Sequence, residues 1–180
     1  SRGMAIPVLA LVAVGVLWNT PGRSGEAAVV LPAPAIDNTK AAGPPQTAVI
    51  AGGCFWGVQG VYQHVAGVSN AVSGYAGGTE KSANYDAVSS GMTDHAEAVK
   101  VVFDPRVISY GRILQIFFSV IHDPTQLDRQ GPDVGRQYRS AIFPASEAQA
   151  ATATAYIAQL DQAKAFPKKI MTRIEEGAFY

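Results

Sequence analysis

From Gln46 onward, hydrophobic and polar positions fall into short blocks whose period changes from one block to the next. TAVIAGG, an apolar run closed by glycines, predicts a buried strand. Phe55, Val58, Tyr62 and Val65 then recur at helical spacing, which places a helix start at about Cys54. Val68 to Tyr75 reads as a second strand that ends at the Gly77-Gly78 turn. Glu97, Val99, Val101 and Phe103 alternate with Ala98, Lys100 and Val102, a half-buried strand stopped by Asp104-Pro105. Tyr110, Ile113, Leu114, Phe117 and Ile121 form a helical stripe. Ser140 to Phe143 is a short strand, and Ser146-Glu147 opens an Ala-rich helix carrying Tyr156, Ile157 and Leu160. Lys169 to Ile174 is the last predicted strand. The order β-α-β-β-α-β-α-β, with no internal repeat, predicts an α+β two-layer sandwich of helices on one sheet, built on a ferredoxin-like plait.

The first residues do not share this pattern. Met4 to Trp18 reads MAIPVLALVAVGVLW, an uncharged apolar run behind Arg2. It is short for a membrane span of about 20 residues and has the form of a secretory leader. Residues 1–20 are therefore read as a signal peptide or anchor, and 21–46, rich in Pro, Gly and Ala, as a linker. Residues 47–180 form the predicted folded domain. An exported protein, periplasmic or membrane-anchored, is expected; the alternative is cytoplasmic. A reporter active only outside the cytoplasm, fused after Asn38, separates the two.

Composition narrows the chemistry. Hydrophobic residues make up 48% and charged residues 16% of the chain, as suits a globular body. Fourteen basic residues balance fourteen acidic ones, so nothing favours nucleic acid as a partner. One cysteine cannot form an internal disulfide or a thiolate metal site, and the three histidines lack ligand spacing. No metal is expected.

That single cysteine stands in GGCFWG, Gly52 to Gly57. It follows a strand and a Gly-Gly turn at the first turn of a helix, where free N–H groups and the helix dipole favour an anion, hence the thiolate. A lone cysteine is most often a buried structural residue; the strand–turn–helix position favours a nucleophile at Cys54 instead. Phe55 and Trp56 would wall the sulfur, or simply pack in the core. Glu97 shares a strand face with Val99 and Val101, so lost hydration would keep it protonated as a proton donor, unless it frays into water. His95 has the same parity and is an alternative partner for the thiol. His122 to Ser140 is a polar, Gly/Pro-punctuated loop in which Asp133, Gln137 and Tyr138 can hydrogen-bond a polar ligand. Asp128, Arg129 and Arg136 read as solvated connector residues.

GCFWG, then GYAGG, DHAEAVKVVFDP, HDPTQ and QGPDVGRQYRS, in that order, resemble the methionine-S-sulfoxide reductase family of the A type, from about Val49 to Tyr180. The resemblance implies that Cys54 is the nucleophile, Glu97 the proton donor, and Phe55 and Trp56 the cradle of the substrate's S-methyl group. It matches Tyr85, Asp133 and Tyr138 to the family's polar substrate contacts, and implies a mixed sheet. The implied reaction reduces methionine-S-sulfoxide, free or in proteins, through a cysteine sulfenic acid, which repairs oxidative damage. It needs an external thiol reductant, thioredoxin or similar, and no cofactor; a monomer is expected.

Two departures stand out. The family's chain often continues past the segment resembling GAFY with another tyrosine and recycling cysteines, whereas this sequence stops at Tyr180; a truncated fragment or a one-cysteine form is expected. Pro132 precedes Asp133 and biases the local backbone toward an extended form. Two other classes stay open at this point: an oxidised-methionine binding module without turnover, and a Cys/His hydrolase using Cys54 and His95.

Overall fold

The computed structural model describes residues 28–37 and 42–180. Met4–Trp18 and the start of the predicted linker lie outside the described residues. The main elements are β1 (Gln46–Gly52), α1 (Phe55–Tyr62), β2 (Val68–Ala76), α2 (Tyr85–Ser89), β3 (Ala96–Phe103), α3 (Tyr110–Ile116), β4 (Arg129–Gln130), β5 (Asp133–Val134), β6 (Ser140–Phe143), α4 (Glu147–Gln162) and β7 (Arg173–Ile174). The predicted order holds once α2 and the small β4–β5 hairpin are set aside.

The larger sheet runs β2-β3-β1-β6-β7. Its first four strands pair antiparallel, with β1 and β3 adjacent at the centre, as in a split β-α-β plait. β7 joins β6 in parallel and makes the sheet mixed. It is shorter than the expected Lys169–Ile174, because the residues before Arg173 hydrogen-bond elsewhere: Ile170 N–H to Asp161 and Met171 N–H to Pro124.

The two sheet faces differ. Ala48, Ile50, Val99, Val101, Phe103 and Ile142 bury against Phe55, Val58 and Tyr62 of α1, Ile113 and Leu114 of α3, and Tyr156 and Leu160 of α4. The other face is mostly alanine, with Ala51, Ala76, Ala96, Ala98 and Ala141 beside Phe143, and Phe179 packs on it. Small side chains there let the C-terminal segment cross close to the sheet and pair with β2. Tyr75 and Tyr180 exchange both backbone hydrogen bonds, at 3.0 and 2.9 Å. Gly74 permits the approach, since a Cβ on it would lie 2.3 Å from the Tyr180 carbonyl oxygen.

Two expectations change. The stripe from Tyr110 to Ile121 is one α-helix only to Ile116; Phe117–Ile121 forms a π-helical turn. The wider turn buries both Phe117 and Phe118. The described part of the stretch read as a linker is docked. Leu31 is buried, and the backbone carbonyls of Leu31 and Pro32 accept hydrogen bonds from Gln115 at 2.7 Å and Tyr156 at 2.8 Å. Asp37 accepts the Gly111 N–H at 2.9 Å near the start of α3. The prolines of this stretch remove donors but keep carbonyls, and polar side chains of α3 and α4 meet the carbonyls.

Behind the Gly52–Cys54 turn lies a buried polar chain. His122 Nε2 accepts from the Ser140 hydroxyl at 2.6 Å, and Ser140 lies 2.7 Å from Thr172 Oγ1. Burial pushes the His122 imidazole down from 6.5 to about 4. The folded protein therefore binds fewer protons than the unfolded chain between these values. Its contribution to stability is full above about pH 6.5 and is lost as pH falls toward 4, by roughly 3 kcal/mol. Chemical denaturation at a series of pH values is expected to show this loss in the parent protein and a correspondingly flatter profile in His122→Gln. Equal slopes in both would refute it.

Candidate active site

Gly53 takes φ +90°, a conformation that favours glycine, and turns the chain from β1 into α1. Cys54 is the N-cap of α1, partly exposed, and its side chain makes no capping hydrogen bond to the helix. The sulfur is thus left free at the helix start. Beside it, the N–H of Phe55 donates to Glu97 Oε2 at 3.1 Å. This bond ties the residue after the candidate nucleophile to the candidate proton donor on β3.

Glu97 is 4% exposed, so it does not fray into water at the strand end. Burial raises its affinity for a proton; the Phe55 N–H opposes that shift, and the Asp133 charge adds to it. Desolvation is the largest of these effects, and the carboxyl is held above its ordinary range. Around it stand phenols. Tyr75 is directly opposite Glu97 in the β2–β3 register, and its ring centroid lies 5.7 Å from that of Phe55. Burial first, then the charges of Glu97, Asp133, Tyr85 and Cys54, raise the Tyr138 hydroxyl. Tyr75 is raised by burial, then by Glu97, Tyr85 and Asp86. Both phenols therefore stay protonated as hydrogen-bond donors. Tyr138 thus feels the charges of Glu97, Asp133, Tyr85 and Cys54.

The aromatic residues after the cysteine divide their tasks. Phe55 is buried, whereas Trp56 is 64% exposed, with ring centroids 5.8 Å apart. Tyr85 is also exposed, at the start of α2, where Asn84 caps the helix by accepting the Ala87 N–H. Trp56 and Tyr85 are thus exposed, whereas Phe55 and Glu97 are buried and joined by the Phe55 N–H bond.

Two sequence expectations fail. His95 is fully buried and committed elsewhere: Nδ1 accepts the Gly78 N–H at 3.2 Å, which leaves Nε2 to donate to the Thr79 carbonyl at 2.9 Å. It precedes β3 instead of continuing its alternation, and it serves the Gly77–Thr79 turn, not the thiol. Gln137 is also buried, its amide packed near Gly91 and Gly135, because the 3-10 turn Arg136–Tyr138 directs it inward. Arg136 and Asp94 form an exposed ion pair at 3.3 Å, worth little in water. Arg139, unremarked in the sequence reading, is buried, pairs with both carboxylate oxygens of Glu175 at 2.9 and 2.7 Å, and donates to the Asp94 carbonyl at 3.0 Å. It fastens the C-terminal segment to the stretch that leads into β3. Among the described residues no cluster of three His, Cys, Asp or Glu side chains could hold a metal ion.

Comparison with known proteins places this arrangement. Residues 46–180 match the family model for peptide methionine sulfoxide reductase. A peptide methionine sulfoxide reductase, MsrA 2, of Mesorhizobium japonicum is 56% identical over 142 residues, covering 78% of this chain and 73% of that protein. Among solved structures, reduced Mxr1 of Saccharomyces cerevisiae superposes with TM-score 0.69 at 32% identity, covering 80% of this chain and 82% of the other. Mxr1 in complex with Trx2 superposes with TM-score 0.54 at 25% identity, covering 79% and 84%.

Proposed function

The chain belongs to the peptide methionine sulfoxide reductase family, and from that premise we propose that it reduces methionine-S-sulfoxide to methionine by attack of Cys54 on the sulfoxide sulfur. The observation that carries the assignment of roles is the Phe55 N–H to Glu97 bond at 3.1 Å. It holds an acid in a desolvated pocket next to the sole thiol of the chain.

The substrate's S-methyl group rests against Phe55 and Trp56. The Cys54 thiolate attacks the sulfoxide sulfur while protonated Glu97 delivers its proton to the oxygen, with Tyr85 and Tyr138 donating hydrogen bonds to that oxygen. Oxygen passes to Cys54, which becomes a sulfenic acid; the substrate sulfur gains two electrons and leaves as methionine. An external thiol of the thioredoxin class then attacks the Cys54 sulfur, releases water and forms a mixed disulfide. A second thiol displaces Cys54 as thiolate, and the reductant departs as its disulfide. The structural likeness to the Mxr1–Trx2 complex supports that choice of reductant.

Mixing the protein with a methionine-S-sulfoxide peptide and no reductant is expected to release about one equivalent of methionine. A sulfenate-trapping reagent should then label Cys54, and the R epimer should give no burst. Absence of a burst would favour a binding module, and equal reduction of both epimers would refute the proposed cage.

A further inference from the structure

We propose that Gln130 is a positioning residue for the nucleophile: its side chain clamps the glycine turn that carries Cys54 and couples that turn to the hairpin that carries Asp133. The proposal rests on the reading that Cys54 attacks the sulfoxide.

The contact begins at Gly53. A Cβ built there would lie 2.7 Å from Gln130 Cγ and 2.8 Å from its Cβ, so the Gln130 stem occupies the space a side chain at 53 would need. Gly53 is thus fixed twice, by its φ of +90° and by the stem across it. The stem is itself immobilised. Gln130 Oε1 accepts the Asp123 N–H at 3.1 Å, and Nε2 donates to the Asp123 carbonyl at 3.1 Å. A side-chain amide bonded to both backbone groups of one residue behaves like one more rung of a strand pair, and little rotamer freedom remains. Asp123 is an anchored partner: its carboxylate accepts from the Thr125 N–H at 2.9 Å, the Thr125 hydroxyl at 2.6 Å and Gln126 at 3.2 Å.

The backbone of Gln130 makes the second connection. It stands opposite Asp133 in the β4–β5 pair, and Asp133 is the charge that acts on Glu97. On the other side of the turn, a Cβ on Gly52 would meet Ile121 and Phe117 at 3.0 Å and His122 at 3.3 Å. The turn is therefore gripped from both sides, by rings and methyls under Gly52 and by a hydrogen-bonded stem over Gly53. The second grip is joined to the hairpin that carries Asp133. Displacing reacting groups by about 1 Å can cost on the order of 10²-fold in rate. Gln130 acts through the Gly53 turn and Asp123, so its loss should affect the chemical step and leave substrate binding in place.

The test measures the first-turnover rate of methionine formation against sulfoxide concentration, without reductant. Gln130→Ala is expected to lower the maximal rate by about 10–10²-fold, with half-saturation changed by less than about three-fold. Gln130→Glu keeps the shape but places an acceptor against the Asp123 carbonyl, so it should be slow at high pH. Once its carboxyl is protonated it can donate again, and its rate relative to the parent should recover as pH falls through the ordinary glutamate range, roughly 5.5 to 3.5. A parent-like rate in Gln130→Ala, a change confined to half-saturation, or a pH-independent Gln130→Glu ratio would each overturn the proposal. If Gln130→Ala does not fold, the Gln130→Glu profile decides alone. A parent protein with no burst would indict the sulfoxide reading instead of the clamp.

Discussion

Glu97→Gln is expected to slow methionine formation by roughly 10²–10⁴-fold, the range typical of losing a general acid, while the protein remains folded. The substitution is close to isosteric. The glutamine carbonyl can still accept the Phe55 N–H that now goes to Glu97 Oε2 at 3.1 Å, so the nucleophile turn keeps its tie to β3. What is lost is the acidic proton. Without it, the sulfoxide oxygen must take its proton from a donor such as Tyr138, whose hydroxyl is itself raised by burial, or from water, and these are far weaker acids. The pH profile supplies an independent check. Burial, the largest effect on Glu97, raises its folded value, so the protonated and active form persists to higher pH than for an ordinary carboxyl. The first-turnover rate should decline as pH rises through that elevated value, and the decline should vanish in Glu97→Gln. A near-parental rate would remove Glu97 from the mechanism. Since the His95 ring is occupied by Gly78 and Thr79, attention would then pass to Tyr138.

The chain showed most plainly what depends on regular spacing. The strand from Ala96 to Phe103 alternates long enough, and stops sharply enough at Asp104-Pro105, to identify its buried face and to put Glu97 on it. GGCFWG likewise marks a strand–turn–helix junction, because two glycines end one period and Phe55, Val58 and Tyr62 begin another. Features too short or too distant for periodicity were missed. α2 has five residues, and its only local signal is the Asn84 cap. The docking of residues 28–37 rests on carbonyls that accept from Gln115, Tyr156 and Gln159, a pairing that leaves no pattern in a Pro/Ala stretch. Strand parity also misleads at an end. His95 shares the parity of Glu97, yet it sits one residue before β3, and its ring turns to the Gly77–Thr79 turn. Tyr75 was readable as part of GYAGG, but its place opposite Glu97 depends on register between two strands. Gln130 over Gly53 is a contact across 77 positions of sequence, and only the folded loop creates it.

Cys54→Ser should abolish reduction, a loss of at least about 10⁴-fold, while leaving sulfoxide binding within a few-fold of the parent. The loss is larger than for Glu97 because it concerns the bond that forms, not the proton that assists it. Sulfur accepts the substrate's oxygen as a sulfenic acid; a serine hydroxyl could accept it only by forming a weak O–O bond. Lower nucleophilicity adds to this, since a hydroxyl at the helix start is not ionised as a thiol can be. The binding groups remain: Phe55 and Trp56 hold their ring contact at 5.8 Å, and Glu97 keeps its bond to the Phe55 N–H. Equilibrium dialysis with a methionine-S-sulfoxide peptide measures retention, and quenched mixing without reductant measures turnover. Residual reduction would place the nucleophile outside this cysteine, although the chain has no other thiol. Loss of binding together with turnover would make Cys54 a structural support of the pocket. Retained binding with no methionine formed would separate recognition, carried by the aromatic and polar residues, from chemistry, carried by one sulfur at the start of α1.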